Sequence, residues 1–186
     1  MPPTLQRRRL SQGICFDVRT LRGEYFEKSE NGCSAMKQAD LVVTPVGVRF
    51  QGRRFPCTIG RTGLTARKKE GDGATPRGVH RIVGMLYRPD RMARPTDWAL
   101  PIGPGDLWSD DVEDPDYNLM VRAPHDYSHE ELRRADPMYD LVILTDWNWP
   151  YAVKGRGSAI FIHQWRGPGR RTAGCVAFRR DHLQWI

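Results

Sequence analysis

No stretch of this sequence stays apolar for long. The longest runs are Leu41-Val42-Val43, Leu141 to Leu144 and Ala159 to Ile162, far short of the ~20 residues that span a bilayer. A membrane-spanning helix is excluded. Arg7-Arg8-Arg9 is followed by no apolar segment, so neither a secretory nor a twin-arginine signal is legible, and the chain as written reads as cytoplasmic. Cysteine is scarce. Cys15, Cys33, Cys57 and Cys175 show no C-x-x-C spacing, which argues against a structural zinc site. The plain reading is four reduced thiols; a Cys15–Cys33 disulfide belongs only to an exported form. Internal repeats and low-complexity tracts are missing too.

What is present suits one domain. The chain has 186 residues, 39% of them apolar and 27% charged, enough to bury a core without metals or staples. The net charge of +7 suggests an anionic partner until it is resolved along the chain. Residues 1–40 and 41–100 are basic, 101–150 are strongly acidic and 151–186 are basic again. A nucleic-acid module carries its charge as one footprint, so the average misleads and no nucleic-acid partner is expected.

Residues 1–40 are weakly periodic and read as an extension of low order, or as sequence upstream of an internal start at Met36. From Leu41 the texture changes to short strands: 41–43, 46–50, a tight turn at Gln51-Gly52, and a return strand over 53–59. A Gly/Lys/Arg-rich loop runs to Gly78. Strands follow at 79–86, 117–121, 139–145, 158–163 and 174–178, and one helical turn closes the chain at 181–185. Asp106 to Asp116 reads as a solvated acidic loop. Ser128-His129-Glu130-Glu131 has the S-x-x-E form of a capping box and predicts a short helix to about Ala135. Many short strands and few helices predict a mainly β sandwich or barrel.

The most informative stretch is Ser158 to Ala177. His163 ends one apolar strand, and Cys175 begins another just after Gly174. Neighbouring strands would bring both side chains to one sheet edge. A free thiol, with a pKa of ~8.5, is mostly protonated at neutral pH; an adjacent imidazole can take that proton. Gly174 lets the backbone approach a reacting carbonyl, so the N–H groups of Ala173, Gly174 and Cys175 could form an oxyanion hole. Arg170 and Arg171 could attract a substrate carboxylate. The plain alternative is a core thiol beside a satisfied buried histidine.

The order of residues fits this segment to a particular resemblance. His163, a spacer, then Thr172, Gly174 and Cys175 resemble the catalytic motif of YkuD-type L,D-transpeptidases. Lys68 to Gly78, ending in Thr75-Pro76-Arg77-Gly78, resembles that family's Thr-Pro-x-Gly region, and Tyr139 to Leu144 and Gly155 to Phe161 resemble its short members. The match spans about 41–186. Ala173 stands where many members have a second histidine, Ala177 where many have asparagine, and the His–Cys spacer is shorter. The resemblance implies a mainly β catalytic domain acting in the cell envelope on peptidoglycan stem peptides. Cys175 would attack the bond between the diamino acid and D-Ala, D-Ala would leave, and an amine would resolve the thioester into a cross-link. It implies His163 as base, the Gln164 carbonyl as its orienting group, Gly174 and Cys175 as oxyanion donors, Thr172 as loop support, and no metal or cofactor. It leaves the acceptor amine and the oligomeric state open, and its implied location conflicts with the cytoplasmic reading.

Rival readings are weaker. His125 and His129 lack the His-Glu-x-x-His pattern of a zinc peptidase; His129 is expected at most to line the cleft. Of six tryptophans only Trp165, in the catalytic loop, is a candidate ligand contact. A papain-like enzyme would place Cys before His. A carboxypeptidase or other cysteine amidase on wall peptides shares the same machinery. A non-enzymatic basic module would use Arg170, Arg171, Arg179 and Arg180, and its binding would fall steeply with salt.

Overall fold

The computed structural model describes the backbone of residues 15–17 and all of residues 38–186. The expectations for the rest of 1–40, and the Cys15–Cys33 pairing, lie outside the described residues. Within them, Cys15–Asp17 is a strand (β1). Next come Leu41–Thr44 (β2), Gly47–Phe50 (β3), Arg53–Phe55 (β4) and Cys57–Thr58 (β5). Two short strands, Leu64–Thr65 (β6) and Thr75–Pro76 (β7), pair with each other. Val79–Tyr87 (β8) is the longest strand, with Leu100–Pro101 (β9) beside its end. Asp106–Ser109 (β10) lies between Met120–Arg122 (β11) and His129–Glu131 (β12) in a separate sheet. The chain ends with Leu141–Thr145 (β13), Phe161–Gln164 (β14), Val176–Phe178 (β15) and the helix Arg180–Trp185 (α1). The mainly β fold expected from the sequence is the one observed.

The main sheet runs β4-β3-β2-β1-β8-β13-β14-β15-β5. Its two end strands, β4 and β5, are separated in sequence only by Pro56. The sheet must therefore curl until its ends come close. Pro56 also explains why the return strand expected over 53–59 breaks in two: proline donates no ladder hydrogen bond. The turn that launches β4 is as expected, with Gln51 and Gly52 both at positive φ (48° and 72°), the geometry that matches hairpin twist.

Strand periodicity sorts the core into two faces. Leu141, Ile143, Ile162, Val176 and Phe178 pack on one side with Leu41, Val48 and Leu183. Val142, Phe161 and Cys175 face the other, with Leu86, Trp108, Leu132 and Tyr139. The second face carries the candidate site.

Two expectations are overturned around this face. Residues 129–131 form β12 rather than a helix. The capping-box pattern loses because Leu107, Trp108 and Ser109 offer ladder partners to Glu131, Glu130 and His129. The Asp106 to Asp116 stretch is not a solvated loop either. Asp106 and Asp114 are buried, and Asp114 is held by the Ser109 hydroxyl, the Asp116 N–H and His125 Nε2. A buried carboxylate needs such donors, and those of Ser109 and His125 are distant enough in sequence to be invisible as a motif.

Candidate active site

β14 and β15 run parallel, with Ile162 opposite Val176 and His163 opposite Ala177. Side chains two residues apart on a strand share a face. Cys175, two before Ala177, therefore lies on the same face as His163, one diagonal step away. Both are buried, Cys175 at 7% and His163 at 3% exposure.

The imidazole is oriented by its own chain. His163 Nδ1 lies 2.7 Å from the Gln164 carbonyl oxygen. A carbonyl only accepts, so Nδ1 carries the proton and Nε2 keeps its lone pair. Burial is the main cause that pulls the imidazole down to about 4, which makes it neutral at physiological pH. The ring stands edge-on to Tyr139, centroids 5.2 Å apart.

The thiol accepts from the Phe161 N–H (3.4 Å) and donates to the Ala159 carbonyl (3.0 Å). Burial, with a smaller push from Glu130, raises it to about 12. The resting pair is thus thiol and neutral imidazole, not thiolate and imidazolium. Ala159 has a left-handed backbone, φ 50°, and its N–H donates to Asn118 Oδ1 (2.9 Å). Asn118 also accepts from Trp108 Nε1 (3.0 Å) and donates to the Asn148 carbonyl (2.8 Å). One buried amide thereby ties β10, the thiol's acceptor and the segment after β13 together.

The loop before Cys175 is built from threonines. Thr172 Oγ1 donates to the Cys175 carbonyl (2.6 Å) and accepts from the Gly174 N–H (3.2 Å). Thr75 Oγ1 donates to the Gly174 carbonyl (2.6 Å) and accepts from the Gly60 N–H (2.9 Å). A Cβ on Gly174 would lie 2.9 Å from both the Ala74 oxygen and Ile160 Cδ1, so only glycine fits. Lys68, buried at 7% exposure, reaches the same place; its Nζ donates to Asp72 Oδ1 (2.6 Å) and the Lys69 carbonyl (2.8 Å).

Several other sequence candidates are more peripheral. Ala173, Arg170 and Arg171 are exposed, and Arg171 Nη1 donates to the Arg61 carbonyl. Trp165 is half-buried and its backbone N–H continues the ladder to the Phe178 carbonyl (2.7 Å). His129 turns to the Tyr127 carbonyl (2.7 Å); by strand alternation Glu130, not His129, faces the Tyr139 side. The His125 and His129 rings lie 5.8 Å apart, with His125 committed to Asp114. An open groove of about 450 Å³ lies between residues 77–80 and 146–156, and neither Cys175 nor His163 lines it. Sequence reasoning missed Asn118, Lys68, Glu130 and the ring of Tyr139. Asn118 and Glu130 carry no motif of their own; Lys68 and Tyr139 lie in stretches that resemble the family, but the resemblance assigned neither a role.

A family model for the YkuD L,D-transpeptidase catalytic domain matches residues 46–186. No curated protein and no solved structure matches the chain. No helix of the described residues is long and apolar enough to cross a membrane. The match covers most of the chain and takes in both faces of the sheet, the threonine-built loop and the Cys175–His163 pair, so the chain belongs to the YkuD-type L,D-transpeptidase catalytic-domain family.

Proposed function

We propose that this domain is a cysteine acyltransferase acting on peptidoglycan stem peptides. The observation that carries the reading is the shared face of Cys175 and His163 on parallel strands, with Nδ1 committed to the Gln164 carbonyl and Nε2 left as the basic nitrogen. Cys175 Sγ attacks the carbonyl of the diamino acid as its proton passes to His163 Nε2. The tetrahedral oxyanion is met by backbone N–H groups of the 173–175 turn. Gly174 N–H already donates to Thr172 Oγ1, so the Ala173 and Cys175 amides are the proposed donors. The imidazolium returns its proton to the departing D-Ala amine, leaving a thioester on Cys175. An acceptor amine then attacks that carbonyl, His163 takes the amine's proton, and Sγ leaves and is reprotonated.

Arg170 and Arg171, exposed beside this turn, suit a carboxylate of the stem peptide. Thr172 and Trp165 shape the loop that carries them. Such a substrate sets the place of action in the cell envelope. The chemistry requires no metal or cofactor.

The test is incubation with a tetrapeptide-stem muropeptide, followed by mass spectrometry. Loss of D-Ala with dimer formation is the expected result. Loss without dimer makes the enzyme a carboxypeptidase. An unchanged muropeptide rejects the reading.

A further inference from the structure

Glu130 has no part in the scheme above. It is the central residue of β12, opposite Trp108, and is half-buried. Its Oε2 accepts a hydrogen bond from the Tyr139 hydroxyl. Tyr139 ends a short 3-10 turn, Pro137–Tyr139, and is 3% exposed. Its ring meets the His163 imidazole edge-on at 5.2 Å and 79°, and Phe161 at 6.3 Å. The same ring belongs to the buried cluster that contains Cys175. Arg134 lies over the ring, 5.4 Å from its centre, and is held in turn by both oxygens of Asp136. Carboxylate, phenol, imidazole and thiol are thus members of one packed group.

Resting on the acyl-transfer reading, we infer that Glu130 is a positioning residue: it fixes the Tyr139 hydroxyl, and so the ring that braces His163 in the buried cluster with Cys175. Its charge also opposes a thiolate at Cys175. A phenol tied at its oxygen cannot swing, and an edge-on ring contact restricts the imidazole plane. A second anion beside a buried carboxylate is disfavoured. Other charges face this group. Lys68 opposes the effect at Cys175, Asp110, Glu70 and Arg134 act on Glu130, and Arg134, Arg166 and Asp136 act on His163. Burial lifts the Glu130 carboxyl and the Tyr139 hydrogen bond counters it, so the test is read on the alkaline side of neutrality.

The experiment compares the full wild-type chain with Glu130→Gln and Glu130→Ala. Two readouts are taken: the pH profile of Cys175 alkylation by iodoacetamide, mapped by peptide mass, and the low-field NMR signal of the His163 Nδ1 proton. Glutamine keeps an acceptor for Tyr139 and removes the charge. It should keep the Nδ1 signal, while alkylation rises about threefold, equivalent to about half a pKa unit. Alanine should raise alkylation similarly and broaden or abolish the Nδ1 signal. Folded variants with the wild-type profile and the wild-type signal would overturn the assignment. If the alanine variant fails to fold, the glutamine alkylation profile still decides. Neither readout uses a wall peptide, so failure of the transpeptidase assay and failure of this inference are separable.

Discussion

The Cys175 thiol donates to the Ala159 carbonyl at 3.0 Å. At rest the thiol is therefore protonated and turned toward its own backbone. In the proposed reaction, attack requires the side chain to leave this acceptor for His163 Nε2, coupling proton loss to bond formation. Alkylation of Cys175 by a simple reagent, which needs free thiolate, should be slow at neutral pH and keep rising toward about pH 12, the value to which burial pushes the thiol. A plateau near neutrality in the iodoacetamide profile would mean that an ion pair already exists.

The imidazole has the opposite sign. Its folded value of about 4 lies below the ordinary 6.5, so the unfolded chain binds the proton first. Stability is then constant above about pH 6.5 and falls as pH drops toward 4, by about 3 kcal/mol in all. The melting temperature of His163→Gln should lose this part of the acid slope. An unchanged slope between those pH values would place the acid sensitivity elsewhere.

Gly174→Ala should be costly. The added methyl meets the Ala74 oxygen and Ile160 Cδ1 at 2.9 Å. Overpacking against backbone typically costs about 1–3 kcal/mol. Chemical denaturation should show that loss together with reduced acylation, because the strain falls next to Cys175, the proposed nucleophile.

Thr75→Val tests the loop from the other side. It preserves shape but strips the hydroxyl from between the Gly60 N–H and the Gly174 carbonyl. Two buried backbone groups lose a partner, for about 2–4 kcal/mol by denaturant midpoint. Asn118→Ala should cost about 3 kcal/mol or more, since it deprives Ala159 N–H, Trp108 Nε1 and the Asn148 carbonyl at once.

Much of the sheet was readable because apolar runs such as Leu141 to Leu144 and Ala159 to Ile162 are bounded by turn residues. The neighbouring placement of His163 and Cys175 followed from the same pattern. What escaped depends on long-range pairing. Ser128 to Glu131 satisfies a helix-start motif, yet β10 recruits residues 129–131 into a ladder. Local hydrogen bonding is a weak preference that a waiting sheet edge overrides. That error hid Glu130, since a helix would not have turned it toward Tyr139. Asp106 and Asp114 were read as solvated because charge alone was visible, not the donors that make burial tolerable, the Gly103 N–H at Asp106 and the Ser109 hydroxyl and His125 at Asp114. Asn118 gives no signal in sequence: it works through partners at Trp108, Asn148 and Ala159.

The central claim is that Cys175 carries the acyl group and His163 enables its transfer. Acid-quenched intact-mass analysis after exposure to a tetrapeptide stem tests it most directly. Wild-type protein should gain the mass of the stem less D-Ala, mapped to Cys175. Cys175→Ala should gain none, and His163→Ala should gain it at least about a hundredfold more slowly. An adduct that persists in folded Cys175→Ala, or that forms at the wild-type rate in His163→Ala, would contradict the account.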